Sequence, residues 1–444
     1  MSSIATPASG GSASPAPSEN ERALAYRKIT VRLIPFLVFL FVLAWIDRVN
    51  IGFAKLQMLQ DLQFSETVYG LGAGIFFIGY FLFEVPSNLL LEKIGARRTL
   101  ARITILWGLA SMAMIFVKTP TQFYVMRFLL GVFEAGFFPG VVLYLTYWFP
   151  SDRRARINGY FMTSFAIAGV VGGPIAGFVL SIMSDVEGLA AWQWLFVIEG
   201  IPSVLAGFAV LAWLPEKPEN AKWLQQRERD IVQLDLDKEQ HDPAKHSGLR
   251  HAFNAKVWLC AVIYFCVVSG NATIAFWTPS IIKELGVQGP LNIGLVSAIP
   301  FVLGTIAMIW NGISSDRSGE RRWHCILASI IAAAGLMGTG ALLHNPVMAL
   351  VALSVAAIGI LAAFPVFWSL PAAFLTGTAA AGGIALINSV GNLAGFAAPF
   401  LMGWLRDKTG TLESGLYSVA AMELCAAILV LVFIKVKRGQ PTRT

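Results

Sequence analysis

The stretch FLVFLFVLAWIDRVNIG, Phe36 to Gly52, shows what kind of solvent this chain is made for. It is apolar from Phe36 to Ile46, then places Asp47 beside Arg48, and a short polar break leads to a second apolar run, GLGAGIFFIGYFLF at 70–83. Runs of roughly 20 apolar residues can cross a hydrocarbon core about 30 Å thick, and such runs recur along most of the 444 residues. The composition agrees: 56% of residues are hydrophobic and 13% charged, where a soluble domain carries about 25% charged. Too little polar surface is left to face water. Strands of a membrane barrel would alternate in polarity at period two, which these runs do not. The chain reads as an all-α integral membrane protein.

Apolar runs and breakers predict twelve transmembrane helices in two six-helix bundles. The first six lie near 29–56, 66–93, 97–117, 120–148, 155–183 and 192–214, and the second six near 254–285, 290–314, 322–344, 346–374, 378–405 and 412–436. Residues 1–25 read as a disordered tail, because they begin with a Ser/Ala/Pro/Gly-rich segment that has nothing to bury. The N-terminal bundle then covers 26–214, a polar linker 215–253, the C-terminal bundle 254–436, and a short tail 437–444. Basic residues cluster in alternate loops: Arg97 and Arg98, Arg153, Arg154 and Arg156, then Arg317, Arg321 and Arg322. By the positive-inside bias that side is cytoplasmic, with the linker and both termini. Arg406 and Lys408 are exceptions on the other side. The net charge of +7 is explained by this topology, so no nucleic-acid partner is expected. The four cysteines lie in or beside apolar segments without ligand spacing, so no metal site or disulfide framework is expected.

The halves resemble each other. NLLLEKIGARR at 88–98 aligns without gaps on GISSDRSGERR at 312–322, each after the second helix of its half, and GGPIAG at 172–177 echoes AAPFLM at 397–402. A duplicated six-helix unit points to a transporter whose bundles rock about a shared midplane site.

These motifs make the chain similar to the major facilitator superfamily over essentially everything beyond the tail. The copy from Gly312 fits the superfamily's loop motif, while the first copy has Asn88 and Glu92 in place of Gly and Asp. RFLLGVFEAG at 127–136 and GVVGGPIAG at 169–177 resemble its helix-four and helix-five motifs. IDRVNIG, MRFLLGVFEAGFFPG and WLFVIEG further resemble the anion:cation symporter family, the organic-acid transporters of the tartrate, phthalate and galactonate type. The resemblance implies alternating access, a small carboxylate as cargo and protons as coupling ion, with sodium as an alternative and no cofactor. It implies a cytoplasmic gating role for Glu92, Gly95, Arg97, Asp316, Arg317 and Gly319. A bacterial inner membrane and a functional monomer are expected.

The buried charges carry the chemistry. An ionisable group at mid-membrane costs about 2.5–3.5 kcal/mol, so Asp47, Arg48, Arg127 and Glu134 together cost roughly 10 kcal/mol unless compensated. Asp47 and Arg48 point about 100° apart around their helix, whereas Arg127 and Glu134 share a face roughly 10 Å apart along the axis. They read as a pairing set in which Arg48 or Arg127, or both, offers N–H donors to a carboxylate while Asp47 and Glu134 carry protons. The plainer alternative is a salt-bridge set that only locks two helices. Tyr80, Asn388, Asn392, Trp368 and Ser369 complete the candidate substrate pocket, although a packing hydrogen bond explains Tyr80 and the asparagines equally well, and packing is the stronger reading for Trp368. Glu84, Glu199 and Glu423 fall near predicted helix ends and read as capping or gating groups. Ala44 and Trp45 replace the Asn and Tyr that sugar-acid members often show, which favours a small dicarboxylate or an aromatic acid.

The rival readings are a drug/proton antiporter, which the glycines of 169–177 resemble, and a non-transporting membrane sensor, for which the linker is too short to fold a signalling domain. No nucleophile–base constellation suggests an enzyme.

Overall fold

The computed structural model describes residues 17–184, 186, 188–240, 254–372 and 377–434. It contains twelve helices long and apolar enough to cross a membrane. In the first half these are α1 (Glu19–Leu62), α2 (Glu66–Ile94), α3 (Ala96–Phe116), α4 (Pro120–Thr146), α5 (Ser151–Ile182) and α6 (Ala191–Trp213). In the second they are α7 (Ala255–Glu284), α8 (Pro290–Ser318), α9 (Arg322–Ala341), α10 (Pro346–Pro371), α11 (Gly382–Thr409) and α12 (Glu413–Phe433). The count and the six-plus-six arrangement are those expected from the apolar runs.

One expectation needs correcting. The helix α1 starts at Glu19, inside the stretch read as tail, because Ser18 and Glu21 form a reciprocal capping box that satisfies two otherwise orphaned N–H groups. Residues 1–16, 241–253 and 435–444 lie outside the described residues, so the rest of that tail, the end of the linker and the C-terminal tail are not described. The described part of the linker includes a helix, Gln226–Gln240. It is tied to α1 by Lys28–Glu228 at 2.7 Å, by Arg22–Asp235 at 3.4 Å and by the Tyr26 hydroxyl donating to Asp235 at 3.3 Å.

The halves meet along two related seams, α2 against α11 and α5 against α8, both toward the end remote from the termini. Bare glycines allow the approach: a Cβ on Gly70 would stand 2.3 Å from the Pro399 carbonyl oxygen, and one on Gly173 would stand 2.8 Å from that of Gly294. Without a hydrophobic drive between helices in lipid, such backbone contact is a main source of packing energy. Pro399 and Gly173 belong to the two segments whose sequences echo each other.

Polar contacts join the halves at this far end. Arg406 of α11 pairs with Glu66 of α2 at 3.3 Å and with Glu284 of α7 at 3.0 Å, and Lys55 of α1 reaches Glu66 at 2.6 Å. Asp407 accepts from the backbone N–H of Glu66 at 3.1 Å and of Thr67 at 2.7 Å, and Lys283 donates to the Leu56 carbonyl at 3.0 Å. Arg406, one of the two basic residues that broke the loop-charge pattern, therefore serves as a latch between bundles.

Three of the central helices are interrupted. The run of α1 breaks at Asn50, that of α4 at Ala135–Gly136, where Gly136 has φ +84, and that of α11 at Leu393. Interrupted spans are tolerated in a membrane where they line a cavity or are buried in protein.

Candidate functional site

Each interruption adjoins a polar residue singled out from the sequence: Arg48 comes before Asn50, Glu134 before Ala135, and Asn392 before Leu393. The three sites are brought toward a cavity of about 150 Å3 between the halves. The first half contributes Arg48, Tyr80, Glu84 and five further aromatic side chains, and the second contributes Tyr264, Asn271, Phe276, Phe364, Asn388 and Asn392 among others.

Arg48 is the one cation among the described lining residues. Its guanidinium is ion-paired to the Glu134 carboxylate, the Nε donating at 3.0 Å. The arginine remains partly open, at 16% side-chain exposure, while Glu134 is almost completely covered at 1%. Three rings flank the guanidinium, with centroids at 5.2 Å for Phe76, 5.3 Å for Trp45 and 5.4 Å for Tyr80. Such cation–π contacts fix its plane as well as adding attraction. The second carboxylate oxygen of Glu134 has no protein partner. The arginine is thus accessible, and its covered partner is incompletely satisfied.

The other two charges are elsewhere. Arg127 is fully buried behind Phe76, whose ring centroid lies 5.3 Å away. It donates to the carbonyls of Gly72 and Arg48, each at 3.3 Å, so it braces α1 at its interruption. Asp47 is also fully buried and points to the back of the bundle. It accepts from Ser203 at 2.5 Å, Ser111 at 2.8 Å and the Trp107 indole at 3.2 Å. The expected four-membered pairing set is therefore corrected to one ion pair, Arg48 with Glu134. The 100° step between neighbours on a helix is the physical reason: it turns Arg48 to the cavity and Asp47 away from it.

Tyr80, Asn388 and Asn392 lie on the cavity wall, whereas Trp368 and Ser369 do not. Trp368 packs edge-on against Tyr264 at 4.8 Å, and the Ser369 hydroxyl donates to the Val366 carbonyl at 2.6 Å. Glu84 lies inside α2 and lines the cavity, so of the capping and gating readings given to it the capping one does not hold. Nor does it hold for Glu199 and Glu423: both are buried within α6 and α12, and neither carboxylate has a hydrogen-bond partner. The sequence reading missed Asn271, although it stands where the repeat aligns it with Asp47, and it missed most of the aromatic wall.

The two loop-motif copies bond within their own halves. Gly95, at φ +90, brings the Ala96 and Arg97 N–H groups onto the Glu216 carboxylate, and the Arg97 guanidinium donates to the Leu211 carbonyl at the end of α6. In the second copy Gly319, at φ +65, ends α8, Asp316 pairs with Arg321, and Arg322 donates to the Leu431 carbonyl of α12. Glu92 and Arg317 are exposed beside them.

Known proteins bear on this arrangement. The family model for the Major Facilitator Superfamily matches residues 37–399. A protein of Agrobacterium vitis assigned as a tartrate transporter is 47% identical over 93% of this chain and 92% of its own. The protein NicT of Pseudomonas putida, assigned to metabolite transport, is 47% identical over 91% and 93%. A quinolone resistance transporter of Acinetobacter baumannii is 44% identical over 94% and 96%. The xylose transporter XylE of Escherichia coli, in a partially occluded inward-open conformation, shares the fold at TM-score 0.71 and 12% identity, covering 93% of this chain and 99% of that one.

Proposed function

This chain belongs to the Major Facilitator Superfamily and is a multi-pass membrane transporter, not an enzyme; from that premise we propose that it imports a small organic anion together with protons. The observation that carries the proposal is Arg48 on the wall of the cavity between the halves, ion-paired to Glu134 buried behind it. A guanidinium presents its donors as a planar fork that matches a carboxylate, and the relatives assigned to tartrate and metabolite transport support an organic cargo.

The mechanism follows from competition for one cation. A cargo carboxylate entering the cavity takes donors of Arg48 that Glu134 holds, and Glu134, losing its counter-charge, takes a proton from solution. Occupied and proton-loaded, the site carries no added net charge from a monoanion, which lowers the cost of passing it between the two faces. On the other side Glu134 releases the proton, reclaims Arg48 and displaces the cargo. Asp47, sealed behind three neutral donors, serves as a secondary proton site that reaches solution only when the bundle rearranges. The loop motifs of Glu92–Arg97 and Asp316–Gly319 gate the termini side. We place the chain in a bacterial inner membrane with both termini cytoplasmic, the orientation that the basic loops favour. The latch of Arg406 and Glu66 then closes the external face, which makes this an inward-facing arrangement. One chain carries the complete site, so a monomer suffices.

Export is the second reading, and the quinolone resistance relative favours it. Proteoliposomes separate the two. With labelled benzoate and tartrate outside, an inwardly directed pH gradient is expected to drive accumulation of at least one acid, abolished by a protonophore and indifferent to sodium. Uptake that follows a sodium gradient instead replaces the coupling ion. Accumulation only when the gradient is reversed establishes antiport. Indifference to every gradient removes the coupling proposal.

A further inference from the structure

The composition of the cavity wall narrows the cargo. Nine of its eighteen described lining residues are aromatic, three are asparagines, and Arg48 and Glu84 are the only charged ones. The volume of about 150 Å3 leaves room for one small ring. We infer that the cargo is a one-ring aromatic monocarboxylate, its carboxylate on Arg48 and its ring between the aromatic walls, an inference that rests on the organic-anion reading above.

Charge excludes the competitors. A dicarboxylate has a second anionic group that finds no second cation on the described wall and faces a cavity that already holds Glu84. Like charges that share so small a cavity repel, and a carboxylate buried without a partner is costly. Arg127 does not fill the gap, because it lies fully buried behind Phe76 and off the described wall, with two of its nitrogens donating to backbone carbonyls. A polyhydroxy acid fares poorly for a different reason. Its hydroxyls need partners around the whole molecule, whereas the amides stand on one side only, Asn271 on α7 and Asn388 and Asn392 on α11. An aromatic acid leaves its faces to Phe41, Phe77, Tyr264 and their neighbours, and turns one edge substituent, a hydroxyl or a ring nitrogen, toward the amides. Offset or edge contacts between rings supply attraction beyond area burial.

The test is a binding series on the purified full-length protein in nanodiscs, read by intrinsic tryptophan fluorescence and by the unfolding transition. The probes are benzoate, pyridine-3-carboxylate, cyclohexanecarboxylate, phthalate, tartrate and gluconate. Benzoate or pyridine-3-carboxylate is expected to bind about tenfold more tightly than cyclohexanecarboxylate, which has similar size and the same charge but no π face. Both are expected to exceed phthalate, tartrate and gluconate by a larger factor, and Tyr264→Leu is expected to shrink the benzoate advantage. Tartrate, phthalate or gluconate binding more tightly than benzoate overturns the inference and leaves the organic-anion reading standing. Equal affinity for benzoate and cyclohexanecarboxylate overturns the aromatic part. Failure of every acid to bind a sample with an intact cooperative unfolding transition overturns both readings together.

Discussion

In the register that aligns 88–98 with 312–322, Asp47 falls on Asn271, Arg48 on Ala272 and Glu199 on Glu423. The first two pairs differ in charge and the third does not. Glu199 and Glu423 occupy equivalent buried places in α6 and α12, away from the cavity, and Gly270 is bare where a Cβ would come within 2.2 Å of the Glu423 carboxylate. Arg48 and Ala272 instead face each other's bundles across the cavity. The shared acid lies away from the cavity in both halves, whereas of the two unshared charges Arg48 lines it and Asp47 turns to the rear. On the cavity wall the first half places the cation and six of the nine rings, and the second places the three amides and the other three rings.

That division can be broken experimentally. The largest effect is expected for Arg48→Lys, which keeps the charge but loses the fork. Charge-assisted hydrogen bonds worth about 1.5–3 kcal/mol predict a loss of acid binding of roughly 10- to 100-fold, measured by titration, and affinity within twofold of the parent would erase the contrast between the halves. Next, Glu134→Gln is expected to abolish pH-driven accumulation in proteoliposomes while leaving exchange of labelled for unlabelled acid, and Asp47→Asn to weaken coupling only partly. Equal damage from both would give Asp47 a rank its position does not suggest.

The seam offers a structural test. Gly173→Val forces side-chain atoms against the Gly294 backbone, and overpacking of about 1–3 kcal/mol should lower the detergent unfolding temperature. No change would mean the seam is looser than the bare glycines indicate. Asn388→Ala removes one neutral hydrogen-bonding group from the second half, with an expected loss of roughly 2- to 10-fold in affinity. The smallest effect belongs to Arg406→Gln. Its ion pairs are about a quarter exposed on the arginine side, so about 0.2–1 kcal/mol is at stake. A modest widening between spin labels at Gln60 and Gln288 would show it, and an unchanged distance distribution would show that the latch does not bias the halves.

The sequence made the twelve spans legible because hydropathy and loop charge are properties of composition along the chain. It also flagged Arg48, Glu134, Tyr80, Asn388 and Asn392, since a polar group in an apolar run stands out against its neighbours. The aromatic wall did not stand out. Phe41 and Phe276 face the cavity and Phe39 and Phe116 are exposed on the outside of the bundle, yet a phenylalanine looks the same in either setting. Asp47 shows a different limit. Its identity signalled function, but only the rotational step from Arg48 and the donors on α3 and α6 determine that it faces the rear. Trp368 packs, the stronger of the two readings given to it, but its ring partner, Tyr264, comes from a helix more than a hundred residues earlier and could not be named from the sequence.

The contact of Asp407 with the first amides of α2 has a consequence for observation. Those amides belong to one bundle and their acceptor to the other, so the start of α2 is complete only while the mouth at this end is shut, with Ser65 retaining its own bond to the Val68 amide at 3.2 Å in either case. Amide hydrogen exchange at Glu66 and Thr67 therefore acts as a built-in clock of opening, slow when the bundles touch and fast when they part. Cargo that favours the shut mouth should slow this exchange, reporting turnover without any attached probe.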